Sequence, residues 1–157
     1  MKIENQVCTL EQAKRLKELG VQQDAYMSFV WFINSERVNL HRTITAKKLT
    51  DHAQKKYESA NHNNKVCAAF TVAELGVMLP EDLYIPYKGN SGKKRKYPQH
   101  LHCFKQLKYS VNYTGGESRE FLTQHGDTEA EARATMLIHL LKNNLLTAEE
   151  VNQRLNA

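Results

Sequence analysis

The chain has 157 residues, of which 41% are hydrophobic and 25% are charged, as is typical of a single globular domain with a substantial core. No apolar run approaches the roughly 20 residues of a membrane-spanning helix, so we expect no membrane partner. The N-terminal residues lack the apolar stretch of a secretory signal, and Cys8, Cys67 and Cys103 form no paired motif. We therefore expect a cytoplasmic protein without a disulfide framework.

The net charge of +5 is unevenly distributed along the chain. Residues 36–113 carry fourteen basic and six acidic side chains, whereas residues 114–157 carry four basic and seven acidic ones. This separation could attract an anionic partner or a second copy of the chain. The acidic C-terminal part would, however, repel a nucleic acid that lay across the whole molecule.

The first predicted helix begins at Thr9, whose hydroxyl opens a capping box, and ends at Gly20. Dense aromatic and β-branched residues then predict a strand over Ala25–Ile33. After a turn, the alternation of apolar and polar residues from Val38 predicts its hairpin partner. Helical spacing returns, with a thinner apolar stripe, over Ala46–Ala60.

The middle of the chain alternates between short predicted elements. Thr71 opens a third predicted helix, which Pro80 ends, and Leu83–Tyr87 is a predicted strand. Lys88–Lys96 contains two glycines among its basic residues and is predicted to be a flexible basic loop. Three further strands are predicted over Tyr97–Phe104, Lys108–Tyr113 and Glu120–Gln124.

The clearest helix is predicted over Asp127–Leu146, with a capping box at Thr128. At about 100° per residue its apolar residues cover half of the circumference, as expected of a helix that lies across a sheet. These residues are Ala130, Ala134, Met136, Leu137, Ile138, Leu140, Leu141 and Leu145. His139 lies opposite this side and is predicted to be exposed. Thr147 opens a short terminal helix.

The order of these elements predicts a single α+β domain over residues 1–157. An antiparallel sheet packs against the long C-terminal helix, and short additional helices complete the domain. The sequence contains no alternating βαβ units, so we do not expect a doubly wound parallel sheet. The basic middle, over about residues 36–65 and 88–96, has the character of an insertion.

Three helical segments of the chain read CTLEQAKRLKELGV (residues 8–21), AAFTVAELGVMLP (68–80) and TEAEARATMLIHLLKNNLL (128–146). Together they resemble a family of small uncharacterised proteins encoded in prophages and mobile elements of gut anaerobes. The resemblance implies an accessory protein of a phage or mobile element. The family offers no activity to carry over, so no residue inherits a catalytic role from it.

A basic run with a neighbouring aromatic residue is one candidate site. Lys93, Lys94, Arg95 and Lys96 precede Tyr97, and such residues can neutralise phosphates and stack on bases. The alternative interpretation is a solvated loop whose charges only keep the protein in solution.

A pair of histidines is the second candidate site. His100 and His102 would share one face of a strand, within reach of a single metal ion. A metal site needs further ligands, and only the distant His41, His52 and His62 are candidates. We therefore expect no bound metal and no other cofactor.

The sequence contains no nucleophile elbow, phosphate-binding glycine loop or dinucleotide-binding motif, so we do not expect an enzyme. Buried small hydrophobic residues are the expected role of Cys67 and Cys103. The favoured interpretation is a non-enzymatic protein-interaction module that binds an unknown protein or a second copy of itself. The alternative is a nucleic-acid-binding protein that uses the basic middle of the chain.

Overall fold

A computed structural model of the chain describes residues 2–23, 29–33, 38–42, 65–86, 94–103, 108–114 and 120–157. The predicted helix over Ala46–Ala60 lies outside these residues, as does Lys93. The described part combines helices with antiparallel strands, so the predicted α+β class is confirmed.

The described elements are seven strands and four α-helices, preceded by a short 3-10 helix at Ile3–Gln6. The helices are α1 Leu10–Glu18, α2 Val72–Met78, α3 Glu129–Lys142 and α4 Ala148–Leu155. The strands are β1 Phe29–Ile33, β2 Val38–Arg42, β3 Lys65–Ala68, β4 Asp82–Pro86, β5 Lys94–Cys103, β6 Tyr109–Thr114 and β7 Glu120–Gly126.

These strands form two antiparallel sheets. The first sheet has the order β2-β1-β3, and the second has the order β4-β5-β6-β7. The predicted hairpin in the N-terminal half is confirmed, because β1 pairs with β2 and Phe29 lies opposite Arg42. The Trp31 indole of β1 donates a hydrogen bond to the Cys8 carbonyl at 3.1 Å, which links the first sheet to the segment before α1.

The basic loop predicted over Lys88–Lys96 is wrong in its last three residues. Lys94–Lys96 begin β5 and pair with Tyr84–Pro86 of β4. Pairing with a neighbouring strand satisfies the backbone groups of these residues. Charged side chains are compatible with an antiparallel strand because one face of such a sheet can be solvated. Composition alone therefore places the start of β5 at Tyr97, three residues too late.

Threonine caps begin all four described helices, as the sequence predicts. Thr9, Thr71 and Thr147 each form a complete capping box with the third residue of the helix. At α3 the box is incomplete, because the Glu131 carboxylate accepts a hydrogen bond from the Asp127 N–H at 2.9 Å and not from Thr128. A cap of this kind contributes about 1 kcal/mol to stability.

The end of α1 is shaped by Gly20, whose φ of +85° lies in the left-handed region. The Val21 N–H donates back to the Leu16 carbonyl at 3.0 Å, which closes the helix. Asn144, with a φ of 54°, has the same position after α3. The Asn152 side chain of α4 donates to the Gly20 carbonyl at 3.1 Å and so ties the two ends of the chain together.

The core lies between α3 and one face of the second sheet. Helix α3 contacts β6 and β7, and it also contacts α1 and α2. The following residues of β6 and α3 are completely buried: Val111, Tyr113, Ala130, Ala132, Ala134, Met136, Leu137 and Leu140. Ala132 lies outside the predicted apolar side, and its burial widens the buried arc of α3 beyond half of its circumference.

The prediction that His139 is exposed is wrong. Its side chain is half-buried, and its Nδ1 atom lies 3.4 Å from Nε2 of Gln124 in β7. The reason is the close approach of β7 to α3, since a Cβ atom at Gly126 would collide with Glu131 and Ala132. The strand therefore lies against the side of α3 that the sequence assigns to solvent.

We predict that Leu137→Ala lowers the free energy of unfolding by about 2–5 kcal/mol, because Leu137 is completely buried and the change leaves a cavity. Leu101→Ala is the matched control, since Leu101 is 39% exposed and should lose much less. Urea titrations of the two variants check this. A loss under about 0.5 kcal/mol in Leu137→Ala would show that α3 is peripheral.

Candidate functional site

The pairing of strands determines which side chains share a face of the second sheet. Directly paired residues lie on the same face, and successive residues of a strand alternate between faces. Val111 and Tyr113 belong to the core beside α3, so Ser110 and Asn112 lie on the opposite face. We call this opposite face the outer face. Its described side chains are those of Asp82, Tyr84, Lys96, Pro98, His100, Ser110, Asn112, Thr123 and His125.

An exposed aromatic residue and a cation lie side by side at one end of the outer face. Tyr84 of β4 is 54% exposed and is paired across the strands with Lys96 of β5. The Lys96 Nζ atom lies 2.8 Å from Oδ2 of Asp82, and the Lys96 side chain is 57% exposed. The hydrogen bond to Asp82, together with the charge of that carboxylate, raises the pKa of Lys96. Lys96 is therefore a cation at neutral pH.

Polar residues make up the rest of the outer face. Ser110 and Asn112 of the central strand β6 are buried, whereas His100 and His125 on the two flanking strands are exposed. Thr123, which is paired with Asn112, is half-buried. The outer face thus has a small, polar centre with imidazoles on either side of it.

The residues of the predicted basic site do not share one surface. Lys96 lies on the outer face, whereas Tyr97 is paired with Leu83 and packs against the core on the α3 side. Arg95 has a register position on the α3 side, and Lys94 has one on the outer face. The side chains of these last two residues lie outside the described part of the structure.

No motif in the sequence singles out Tyr84 as a site residue. Seven tyrosines occur in the chain, and composition alone does not show which of them is exposed. The register of β4 against β5 supplies this information, because it places Tyr84 beside Lys96 and Tyr97 on the other face. A weak signal was available, since Tyr84 alternates with the apolar Leu83 and Ile85 in the predicted strand.

The register of the strands places a third histidine, His125, on the same face of the sheet as the positions of the predicted pair, His100 and His102. His102 and His125 are paired with Ser110 from its two sides, and His100 lies two residues from His102 on β5. The side chain of His102 lies outside the described residues. Among the side chains that the structure describes, no group of three His, Cys, Asp or Glu residues is placed to hold a metal ion.

Two buried reactive groups have roles in the fold. Cys8 is completely buried, and burial raises the pKa of its thiol to about 12, so a thiolate nucleophile does not form at neutral pH. The buried Glu74 carboxylate accepts hydrogen bonds from the N–H and the hydroxyl of Thr71, both at 2.8 Å. Cys67 is buried, as predicted, whereas the side chain of Cys103 lies outside the described residues.

A groove of about 400 Å³ separates α1 from α3. Gln12 lines it and donates from Nε2 to the Glu131 carbonyl at 3.1 Å and to the Thr135 hydroxyl at 2.9 Å. Arg15, which also lines the groove, forms an ion pair with Glu18 at 2.8 Å. The hydrogen bonds of Gln12 therefore hold α1 against α3 across the groove, whereas the Arg15–Glu18 ion pair lies within α1.

No protein-family model matches the chain, and comparisons with curated proteins and with solved structures give no significant match. None of the helices in the described part of the chain has the length and apolar character needed to cross a membrane. The function of the chain must therefore be inferred from the residues of the outer face.

We predict that the protein binds no metal ion tightly, because the histidines of β5 need at least one further ligand of defined geometry. Elemental analysis of protein purified without a histidine tag should find less than one zinc or nickel ion per chain. One ion per chain that is lost in His100→Ala/His102→Ala would contradict this prediction. His125→Ala would then show whether the third imidazole is a ligand.

Proposed function

We propose that the protein is a non-enzymatic accessory protein of a phage or mobile element and that it binds a partner macromolecule through the outer face. The resemblance to prophage proteins supports the first part of this proposal. The three segments that carry the resemblance include α3, which packs on the second sheet, and α1 and α2, which contact α3. The outer face comes from strands between these segments.

The observation that carries the proposal is the asymmetry of the second sheet. Helix α3 buries Val111 and Tyr113 on one face, whereas the other face exposes Tyr84, Lys96 and the imidazoles. Exposed tyrosines are enriched in protein-binding surfaces, and lysines neutralise the phosphates of nucleic acids. The outer face therefore combines a rigid support with side chains suited to binding.

The roles of the buried reactive groups support a non-enzymatic function. Cys8 has a raised pKa, and Glu74 caps α2. The Tyr113 hydroxyl donates to the Pro80 carbonyl at 2.7 Å, and burial raises the pKa of this phenol. Each of these groups stabilises the fold and is withdrawn from solvent.

The distribution of exposed apolar residues indicates how a partner would be bound. In the described part of the chain the large exposed apolar side chains are those of Ile3, Val77, Tyr84 and Leu101. Val77 lies on α2, and Leu101 is paired with Val111 on the α3 side, so only Tyr84 belongs to the outer face. Such dispersed residues do not form the large apolar patch of an obligate protein interface. Binding would depend on polar and aromatic contacts.

The proposal predicts that a partner is lost when the outer face is changed. Tyr84→Ala/His100→Ala and the control Val77→Ala/Lys142→Ala should be expressed with an affinity tag in cells that carry the native protein. Val77 suits this control because it is as exposed as Tyr84, at 54%. Co-purified proteins and nucleic acids are then identified by mass spectrometry and sequencing.

We expect the wild type and the control to retain a common partner that the outer-face variant loses. Thermal melts should show that all three proteins are folded. A partner that the outer-face variant retains and the control loses would contradict the proposal. Absence of any partner of the wild type would also count against it.

A further inference from the structure

The chemistry of the outer face indicates what kind of partner it fits. A ring that is 54% exposed lies beside a cation at Tyr84 and Lys96, and the exposed His100 follows on β5. His100 is four residues from Lys96, about 13 Å at the rise of a strand. Aromatic rings stack on bases of any sequence, and cations beside them neutralise phosphates. We propose that the outer face binds single-stranded nucleic acid, an inference that rests on the proposed function of this face.

The separation of charge in the sequence has a spatial counterpart that favours such a partner. The acidic part of the chain includes α3 and α4, with Glu129, Glu131, Glu149 and Glu150 in their first turns. Helix α3 packs on the face of the second sheet that carries Val111 and Tyr113. A strand bound to the outer face would lie on the opposite side of the sheet from α3, where salt screens part of the repulsion by the α3 carboxylates.

The ion pair of Lys96 is compatible with phosphate binding. Lys96 and Asp82 are both at the surface, with side chains 57% and 26% exposed. An ion pair between such groups contributes little to stability and is screened by salt. A phosphate can therefore compete with the Asp82 carboxylate for Lys96, and the carboxylate, which stays nearby, opposes it.

Base stacking on Tyr84 requires unpaired bases. A duplex presents its backbone and the edges of its bases, so an aromatic ring reaches a base plane there only by unstacking base pairs, which is costly. Recognition by stacking and phosphate neutralisation tolerates many sequences and weakens steeply with salt. The inference is therefore limited to single strands bound with little sequence preference.

Fluorescence anisotropy of the full chain tests the inference. The probes are end-labelled oligothymidine and oligouridine of about 15 nucleotides and a DNA duplex of the same length. In about 50 mM salt we expect saturable micromolar binding of at least one single strand and at least tenfold weaker binding of the duplex. The affinity should fall steeply as salt is raised to about 200 mM.

Two pairs of variants locate the binding surface. Tyr84→Ala should weaken binding roughly five- to a hundredfold through lost stacking, whereas Val77→Ala should not change it. Lys96→Ser should weaken binding and lower the slope of log affinity against log salt by about one. Lys142→Ser removes an exposed lysine from α3 and should leave the slope unchanged. Thermal melts confirm that each variant is folded.

The outcomes separate this inference from the proposed function. Failure of the wild type to bind either single strand overturns the inference, as does equal binding of the duplex or equal weakening by Lys142→Ser. A co-purified partner that depends on Tyr84 and survives nuclease treatment would identify a protein, which overturns the inference and leaves the proposed function supported. If the wild type binds no single strand and has no partner that depends on the outer face, the inference and the proposed function are both overturned.

Discussion

The packing of α3 against β6 is the interaction on which the rest of the structure depends. Val111 and Tyr113 of β6 are completely buried in the core that α3 covers. The Tyr113 hydroxyl also binds the Pro80 carbonyl after α2, so one side chain joins the sheet to a second helix. Because strand residues alternate, this burial fixes Ser110 and Asn112, and with them their paired neighbours, on the outer face.

Local signals predict much of this fold, because they act within one turn of helix or one hairpin. The threonine caps, the left-handed end at Gly20 and the apolar side of α3 are of this kind. The exposed surface is harder to predict, since it depends on the residue-by-residue register of each pair of strands. The positions of Lys96 beside Tyr84 and of His125 beside Ser110 follow from such pairings. The exposure of Tyr84 has only a weak local signal, its alternation with the apolar Leu83 and Ile85.

The division into a helical layer and a separate sheet face explains how this chain could carry a binding surface at little cost to stability. Its apolar burial is concentrated between the helices and the inner face, where Leu137 and Met136 are completely buried. Tyr84 and Lys96 are exposed, so their side chains contribute little to that core. Side chains of the outer face can therefore be suited to a ligand without loss of core packing. The packing of α3 on β6 keeps these side chains in place.

The most direct test of the account is hydroxyl-radical footprinting of the two tyrosines that define the faces. The folded protein is exposed to radicals, and oxidation of Tyr84 and Tyr113 is measured by peptide mass spectrometry against the unfolded chain. Tyr84 is 54% exposed and should be oxidised at a rate near that of the unfolded chain, whereas the buried Tyr113 should be protected until the protein unfolds. Equal oxidation of the two residues, or protection of Tyr84 alone, would contradict the assignment of the faces.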